Sequence, residues 1–282
     1  MPDHADLNLR PDPEAVDTFD VMPNRPRWPV IAIGLLVVAA GFAIYLVFGR
    51  QTTAPVNEQP AAAVAAERPS GPLGGTPESI SVPPLAESDP LVRQLVSKLS
   101  SHPRVAAWLT TDGLIRNFTV VVANISEGRS PATHLRSVAP SGPFRVATRN
   151  GVELVDSRAY QRYDSLADAV ASLDAAGSAQ LYATLKPRIN EAAAELGYGE
   201  GSFDRMLERA IVSLLSTPIP SGELAVHPHG AVVYSYADEG LESLTGAQKH
   251  LIRMGPRNAR LVKDKLREIA VALGIPAERL PR

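Results

Sequence analysis

The sequence predicts a mainly α fold with a minor α+β character. We expect a multi-helical globular domain with two small β-hairpins, preceded by a single transmembrane helix and a disordered linker. Three observations predict this organisation. No residue from Pro29 to Phe48 is charged. Beyond residue 85, apolar residues recur mostly at helical spacing. Two short alternating segments flank turn sequences, which is typical of hairpins.

The uncharged stretch has the length of a membrane-spanning helix. At about 1.5 Å per residue it would cross roughly 30 Å, the thickness of a bilayer hydrocarbon core. A secretory signal has a shorter apolar core that is followed closely by a small-residue cleavage site. Here no such site lies nearby, and a Pro/Ala-rich segment argues against a buried core helix. We therefore predict an uncleaved transmembrane helix over residues 28–49.

The charges beside this helix predict its orientation. Arg25 and Arg27 lie on its N-terminal side, and Arg50 alone lies immediately beyond its other end. The positive-inside rule then leaves residues 1–27, an acidic tail that we expect to be disordered, in the cytoplasm. Residues 50–84 are rich in Pro and Ala and lack periodicity, so we predict a linker. Residues 85–282 form the exported domain, as one body or as two lobes that divide near residue 175.

The composition excludes several classes of protein. The chain has no cysteine, which excludes disulfide-stapled modules, thiol enzymes and Cys-based zinc sites. The net charge is −2, and the folded part is close to neutral, so no strongly basic domain indicates a nucleic-acid partner. We predict no cofactor.

Capping residues and apolar stripes predict the first helices of the domain. Ser88 or Asp89 can cap a helix over Pro90–Leu99, in which leucine and valine side chains share one stripe. Pro103 can open a short second helix, because a proline in the first turn costs no hydrogen bond. Asp112 can start a third, whose apolar residues form a broad face.

Two turn sequences predict the hairpins. The segment FRVATRNGVELVD alternates on both sides of Asn150-Gly151, and this dipeptide suits a type I′ turn because both central residues need positive φ. We predict a hairpin over Phe144–Val155. The second hairpin has its turn at residues 227–230, where HPHG places proline second and glycine fourth.

The remaining segments are predicted to be helical. A helix follows Asp164 or Ser165, and Pro187 is expected to separate Ala179–Leu185 from a new helix over Ile189–Leu196. Three more helices are predicted from their caps and breakers. One is capped by Ser202 and ends at the TPIP of residues 217–220; one is capped by Thr245 and ends at Gly255-Pro256; the last covers Arg257–Leu273.

Several stretches together resemble a bacterial family catalogued as domain of unknown function 3014. They are SDPLVRQL, RYD at 162–164, LYATLKP at 181–187, TPIP, and AQKHLIRMGPRNARLVKDKLREIA at 247–270. The resemblance covers nearly all of residues 80–275. It implies a membrane-anchored envelope protein of Gram-negative bacteria without an assigned activity, and it supplies no catalytic residues. We therefore expect the bacterial inner membrane, with the N-terminus cytoplasmic and the domain periplasmic.

A basic block near the C-terminus is the predicted binding site. Its members are Lys249, Arg253, Arg257, Asn258, Arg260, Lys263 and Arg267. Such a stripe could bind lipid headgroups, a glycan acid or an acidic protein face, and the alternative is a solvated helix surface. At the corner before Arg257, Pro256 can occupy the first helical position and leave backbone donors open to an anion.

Other polar groups offer weaker chemistry. His227 and His229 could share a strand face and bind a metal, with Asp238 and Glu242 just downstream. The chain has no G-x-S-x-G elbow, Walker loop or G-x-G-x-x-G sequence. The RYD of residues 162–164 could pair with charges in a cleft, or serve as a structural ion pair or helix cap.

These observations predict a single-pass membrane protein whose helical domain binds another envelope component, such as a protein, without catalysing a reaction. The alternative is a cell-envelope hydrolase or other enzyme that uses the His227/His229 and Asp238/Glu242 region. A third reading makes the cytoplasmic tail the functional end and the exported domain a sensor. The sequence leaves the oligomeric state open.

Overall fold

The computed structural model describes residues 71–229 and 233–282. Within these ranges helices dominate and the strands form two short antiparallel hairpins, which confirms the predicted mainly α fold. The helices are α1 (Asp89–Val96), α2 (Pro103–Trp108), α3 (Leu114–Ser126), α4 (Arg158–Gln161), α5 (Asp164–Ala171), α6 (Ala175–Glu195), α7 (Ser202–Leu215), α8 (Glu239–Glu242), α9 (Gly246–Ile252) and α10 (Pro256–Ala272). The strands are β1 (Val146–Arg149), β2 (Val152–Val155), β3 (Val226–His229) and β4 (Val233–Tyr236).

The predicted acidic tail, the predicted transmembrane helix over residues 28–49 and the linker up to residue 70 lie outside the described residues. Among the residues that are described, none of the helices combines the length and the apolar character needed to cross a bilayer.

Residues 73–84, which we call the strap, lie against the helices although their composition predicts a linker. Leu73 is only 3% exposed. The backbone N–H of Gly74 donates to the carbonyl of Leu273 at 3.0 Å, and that of Gly75 donates to the carbonyl of Ala179 at 3.1 Å. The folded body therefore begins by Leu73 rather than at residue 85. Backbone hydrogen bonds hold the strap, and these leave no periodic signal in the sequence.

The main apolar core contains buried residues of α1, α2, α3, α5, α6, α7 and α10. α3 packs against α6 and α7, and α10 packs against α5, α6 and α7. Phe203 and Leu114 are fully buried there, and Met206 and Leu215 are almost fully buried. Position 175 is the start of α6, and residues before and after it share this core.

Helix α6 runs without a break through Pro187, so the prediction of two helices separated at this residue is wrong. A proline inside a helix costs about 3 kcal/mol. Leu185 and Ile189, on either side of it, are 5% and 3% exposed in the core. Burial of both halves on the same core offsets the cost of the proline, and the start of the helix is fixed by Asp174, whose carboxylate accepts from the N–H of Gly177.

The first hairpin has the predicted turn. Val146 pairs with Val155 and Arg149 with Val152. Asn150 and Gly151 take φ values of 51° and 77°, as a type I′ turn requires.

The second hairpin differs from its prediction. His227 pairs with Ser235 and Pro228 with Tyr234, so these residues are in a strand rather than in a turn at 227–230. The strands cover Val226–His229 and Val233–Tyr236, and residues 230–232 lie outside the described part. Leu224 and Ala225 join the two hairpins, since the carbonyl of Leu224 accepts from the N–H of Val155 at 2.9 Å and Ala225 bridges to Leu154.

Helices α9 and α10 meet at the predicted corner. Thr245 and Gln248 form a capping box at the start of α9. Gly255 has φ of +83°, and a Cβ at this position would collide with the ring of Tyr160. The corner therefore requires glycine for both its backbone angle and its close contact with α4.

Candidate functional site

The corner of the predicted basic block is bound by carboxylates of the chain itself. Asn258 is 1% exposed, and its amide nitrogen donates to Asp164 at 2.8 Å and to the carbonyl of Met254 at 2.9 Å. The guanidinium of Arg257 lies 3.0 Å from a carboxylate oxygen of Asp168. These contacts attach the start of α10 to α5, so Arg257 and Asn258 serve the fold.

Three other cations of the block hold backbone carbonyls. Lys249 donates to the carbonyl of Glu242 at 2.9 Å and pairs with its carboxylate at 2.7 Å. Lys263 donates to the carbonyl of Thr217 at 2.7 Å, and Arg267 donates to that of Pro281. Burial, reinforced by the charge of Arg267, lowers the pKa of Lys263. These three side chains of the basic block therefore make contacts within the domain and are not simply a solvated helix surface.

Arg253 and Arg260 are the members of the block that remain exposed without a hydrogen bond or ion pair to the described residues. Arg253 follows the last residue of α9, and Arg260 lies in the second turn of α10. Their guanidinium groups are available to an outside group because neither forms an ion pair with a carboxylate of the described residues, although the charge of Arg253 helps to lower the pKa of Glu242.

Arg162 lies in a cluster of side chains that sequence spacing does not predict. Its guanidinium carbon lies 4.8 Å from the ring centroid of Tyr163 and 5.6 Å from that of Phe144. The Nη2 atom donates to the hydroxyl of Tyr163 at 3.3 Å. The Nε atom is buried, and no hydrogen-bond acceptor in the described residues meets it. Arg162 thus lies against two aromatic rings without a carboxylate partner.

His250 extends this cluster towards Arg253. Its ring meets that of Tyr163 edge-on, with centroids 6.3 Å apart and an angle of 87°. Burial lowers the pKa of His250, and the positive charges of Arg253 and Arg162 lower it further. Arg253 follows His250 by three residues and keeps helical backbone angles at the end of α9, so the two side chains lie on the same face of that helix. We call Phe144, Arg162, Tyr163, His250 and Arg253 the cation–aromatic cluster.

The sequence contained a partial signal for this cluster. The RYD of residues 162–164 was expected to form ion pairs or a cap, and its Asp164 does bind Asn258. The sequence could not show that Arg257 has a carboxylate partner and Arg162 has none among the described residues, because the fold decides which carboxylates lie close to each arginine.

Tyr236 lies in the adjoining apolar cluster, and burial raises its pKa to about 12.

The predicted metal and acid candidates have other roles or partners. Asp238 caps α8 by accepting from the N–H of Leu241 at 2.8 Å. Glu242 accepts from the N–H of Tyr236 at 2.9 Å and pairs with Lys249, and the Lys249 ammonium lowers the pKa of Glu242. His227 is exposed on β3. No group of three or more His, Asp or Glu residues in the described ranges is arranged to hold a metal ion.

A shallow groove of about 350 Å³ lies beside the first hairpin. It is lined by two arginines that are each paired with an acid. Arg149 lies 2.5 Å from Glu223, and Arg158 lies 2.6 Å from Asp156. The groove is thus electrically balanced, in contrast to the cation–aromatic cluster.

Comparison with known families gives one match. Residues 114–270 match the model of the family described as "Protein of unknown function (DUF3014)". The matched range is more than half of the chain and contains Arg162, His250 and Arg253. Neither the curated proteins nor the solved structures contain a match to the chain.

Proposed function

Because the chain belongs to the family of proteins of unknown function DUF3014, its role must be inferred from its own residues, and we propose that it is a single-pass protein of the bacterial inner membrane. Its N-terminal tail lies in the cytoplasm, and its helical domain lies in the periplasm. There the domain binds another component of the cell envelope without catalysing a reaction.

The uncharged stretch between Pro29 and Phe48 supports the membrane part of the proposal. The arginines that precede it, Arg25 and Arg27, support the orientation.

The strap supports the role of a tethered domain. Asp204 accepts from the N–H of Leu73 at 3.1 Å, and Arg188 donates to the carbonyls of Pro83 and Val82 at 2.8 and 3.2 Å. Side chains on two long helices therefore fix both ends of the strap. A domain that is held through its N-terminal segment benefits from such an attachment.

The observation that carries the binding proposal is the exposure of Arg253 and Arg260. Among the described residues neither has a hydrogen-bond or ion-pair partner. An exposed guanidinium recognises carboxylates and phosphates through its planar array of donors. The surface of α9 and α10 therefore suits an acidic partner.

In-membrane crosslinking of the full-length chain tests the proposal. We expect a specific envelope component to be captured from intact cells. A double charge reversal, Arg253→Glu with Arg260→Glu, should reduce capture by about tenfold or more, since each lost charge pair across an interface costs on the order of 1–2 kcal/mol.

The matched control is Lys98→Glu, which reverses the charge of an exposed residue beyond α1. Its capture should equal that of the unchanged chain. If the double variant captures the same component as efficiently as the control does, the proposed binding surface is wrong.

A further inference from the structure

Arg162 carries a charge that the described chain leaves without a counter-ion. Its Nε is buried and has no acceptor, and the neutral hydroxyl of Tyr163 meets Nη2. Its Nη1 has only the carbonyl of Gly142 at 3.5 Å, on an exposed side. Arginines in partly buried positions are normally paired with an acid, because removing the charge from water is costly.

Neighbouring carboxylates are already bound to other groups. Asp164 and Asp168 contact Arg257 and Asn258. Glu242, whose pKa is lowered by Lys249 and to a smaller extent by Arg253, forms its ion pair with Lys249. None of these acids forms an ion pair with Arg162 or Arg253 within 4.0 Å in the described part of the chain.

The aromatic rings keep the guanidinium of Arg162 in place. It lies between Phe144 and Tyr163, and Phe144 is itself packed against Tyr234 with ring centroids 5.4 Å apart. A planar cation held between rings loses little further freedom when it binds a ligand. The arrangement is therefore preorganised, with the exposed Nη1 directed to solvent-accessible space.

We propose that the cation–aromatic cluster binds a phosphate monoester, with Arg162 and Arg253 as its two charged donors. The proposal deepens the proposed function and rests on it for the envelope setting, because it names the chemical group that the binding domain recognises. Tyr163 positions Arg162, and the ring of His250 lies against that of Tyr163, about one helical turn before Arg253.

The charge of the site favours a phosphate monoester over a carboxylate. Two guanidinium groups without acidic partners among the described residues provide two positive charges. A phosphate monoester carries close to two negative charges above about pH 7, whereas a carboxylate carries one. Phosphate also presents three acceptor oxygens, which can accept from two arginines at once.

Isothermal titration calorimetry of the full-length protein in detergent tests the proposal. The probe is glycerol 3-phosphate at about pH 7.5 and constant ionic strength, with acetate as the monovalent comparison. We expect saturable binding of glycerol 3-phosphate and at least about tenfold weaker binding of acetate.

Each of two variants, Arg162→Gln and Arg253→Gln, should weaken the binding of glycerol 3-phosphate by about tenfold or more. Arg253 is exposed, so its variant keeps the fold even if Arg162→Gln does not. The matched control, Arg205→Gln, removes an exposed arginine on α7 and should bind as the unchanged protein does. The proposal is overturned if Arg253→Gln binds glycerol 3-phosphate with unchanged affinity, or if acetate binds equally well.

Short-chain phosphatidic acid distinguishes a lipid headgroup from a free phosphate. Binding of dihexanoyl phosphatidic acid about tenfold tighter than that of glycerol 3-phosphate supports a lipid source, and equal affinities support a soluble one. If neither glycerol 3-phosphate nor the phosphatidic acid binds, the proposed phosphate site is wrong, but the crosslinking result is unaffected. If the unchanged chain captures no envelope component in the crosslinking experiment but still binds phosphate, the proposed function is overturned instead.

Discussion

We expect His250 to make the stability of the domain depend on pH. The ring is half-buried, and burial together with the charges of Arg253 and Arg162 lowers its pKa. In the unfolded chain an imidazole titrates near about pH 6.5. Above that pH both states are neutral at this position, so the full contribution to stability is present. As the pH falls below it, the unfolded chain binds a proton that the folded chain does not, and the free energy of unfolding decreases.

We expect a loss of about 1.4 kcal/mol for each unit by which the pKa of His250 is lowered. Chemical denaturation from about pH 8 to pH 5 measures it. The free energy of unfolding of the variant His250→Gln should decrease less steeply with falling pH than that of the unchanged protein. His134→Gln, which removes an exposed histidine, serves as the control. A slope in His250→Gln equal to that of the unchanged protein would show that this ring does not carry the effect.

At the scale of single residues, the sequence shows which side chains are charged but not which charges are compensated. Arg253, Arg257 and Lys263 occur in one short basic block. In the folded chain Arg257 forms an ion pair with Asp168, and Lys263 donates to the carbonyl of Thr217. Arg253 remains exposed. The partners come from distant parts of the chain, so local spacing could not separate the three.

At the scale of elements, the strap is attached through one compact polar network. The carboxylate of Asp204 accepts from the N–H of Leu73, from the ammonium of Lys186 at 2.6 Å and from the hydroxyl of Tyr182 at 2.5 Å. Lys186 also donates to the carbonyl of Leu73. Burial, with the neighbouring Asp204, raises the pKa of Tyr182, so the hydroxyl stays a donor.

The variant Asp204→Asn should loosen the strap. It keeps the size of the side chain but removes the charge that Lys186 needs, and we expect a loss of about 1–3 kcal/mol in the free energy of unfolding. A glutamate-specific protease should also cleave this variant faster than the unchanged protein after Glu78. Glu78 lies in the strap, where its N–H donates to the hydroxyl of Thr184 on α6. Arg205→Gln, an exposed change one residue away, is the control. Equal cleavage of both variants would mean that Asp204 does not hold the strap.

Several local signals predict their elements correctly, although the HPHG turn signal at residues 227–230 does not, and elements fixed by distant contacts are not predicted. The Asn150-Gly151 turn and the Thr245 capping box each depend on neighbouring residues, and both are present. The continuity of α6 through Pro187 and the docking of the strap depend on packing against the core. Propensity in a short window carries no information about such packing.

At the scale of the whole molecule, the same division holds. Helical periodicity gave the mainly α class, because that pattern repeats along most of the folded chain. The joining of the two hairpins through Leu224 and Ala225 has no counterpart in the sequence pattern. The cation–aromatic cluster likewise assembles from three separate segments, so only the folded chain brings it together.

The orientation of the whole chain is tested by a reporter that is active only outside the cytoplasm. Alkaline phosphatase needs disulfides, which form in the periplasm. Fused after Arg282, it should be active in bacterial cells, because Arg25 and Arg27 favour retention of the N-terminal side. The same reporter fused after Asn24, ahead of the predicted span, should be inactive. Activity after Asn24 with none after Arg282 would reverse the orientation, and with it the access of the domain to periplasmic partners.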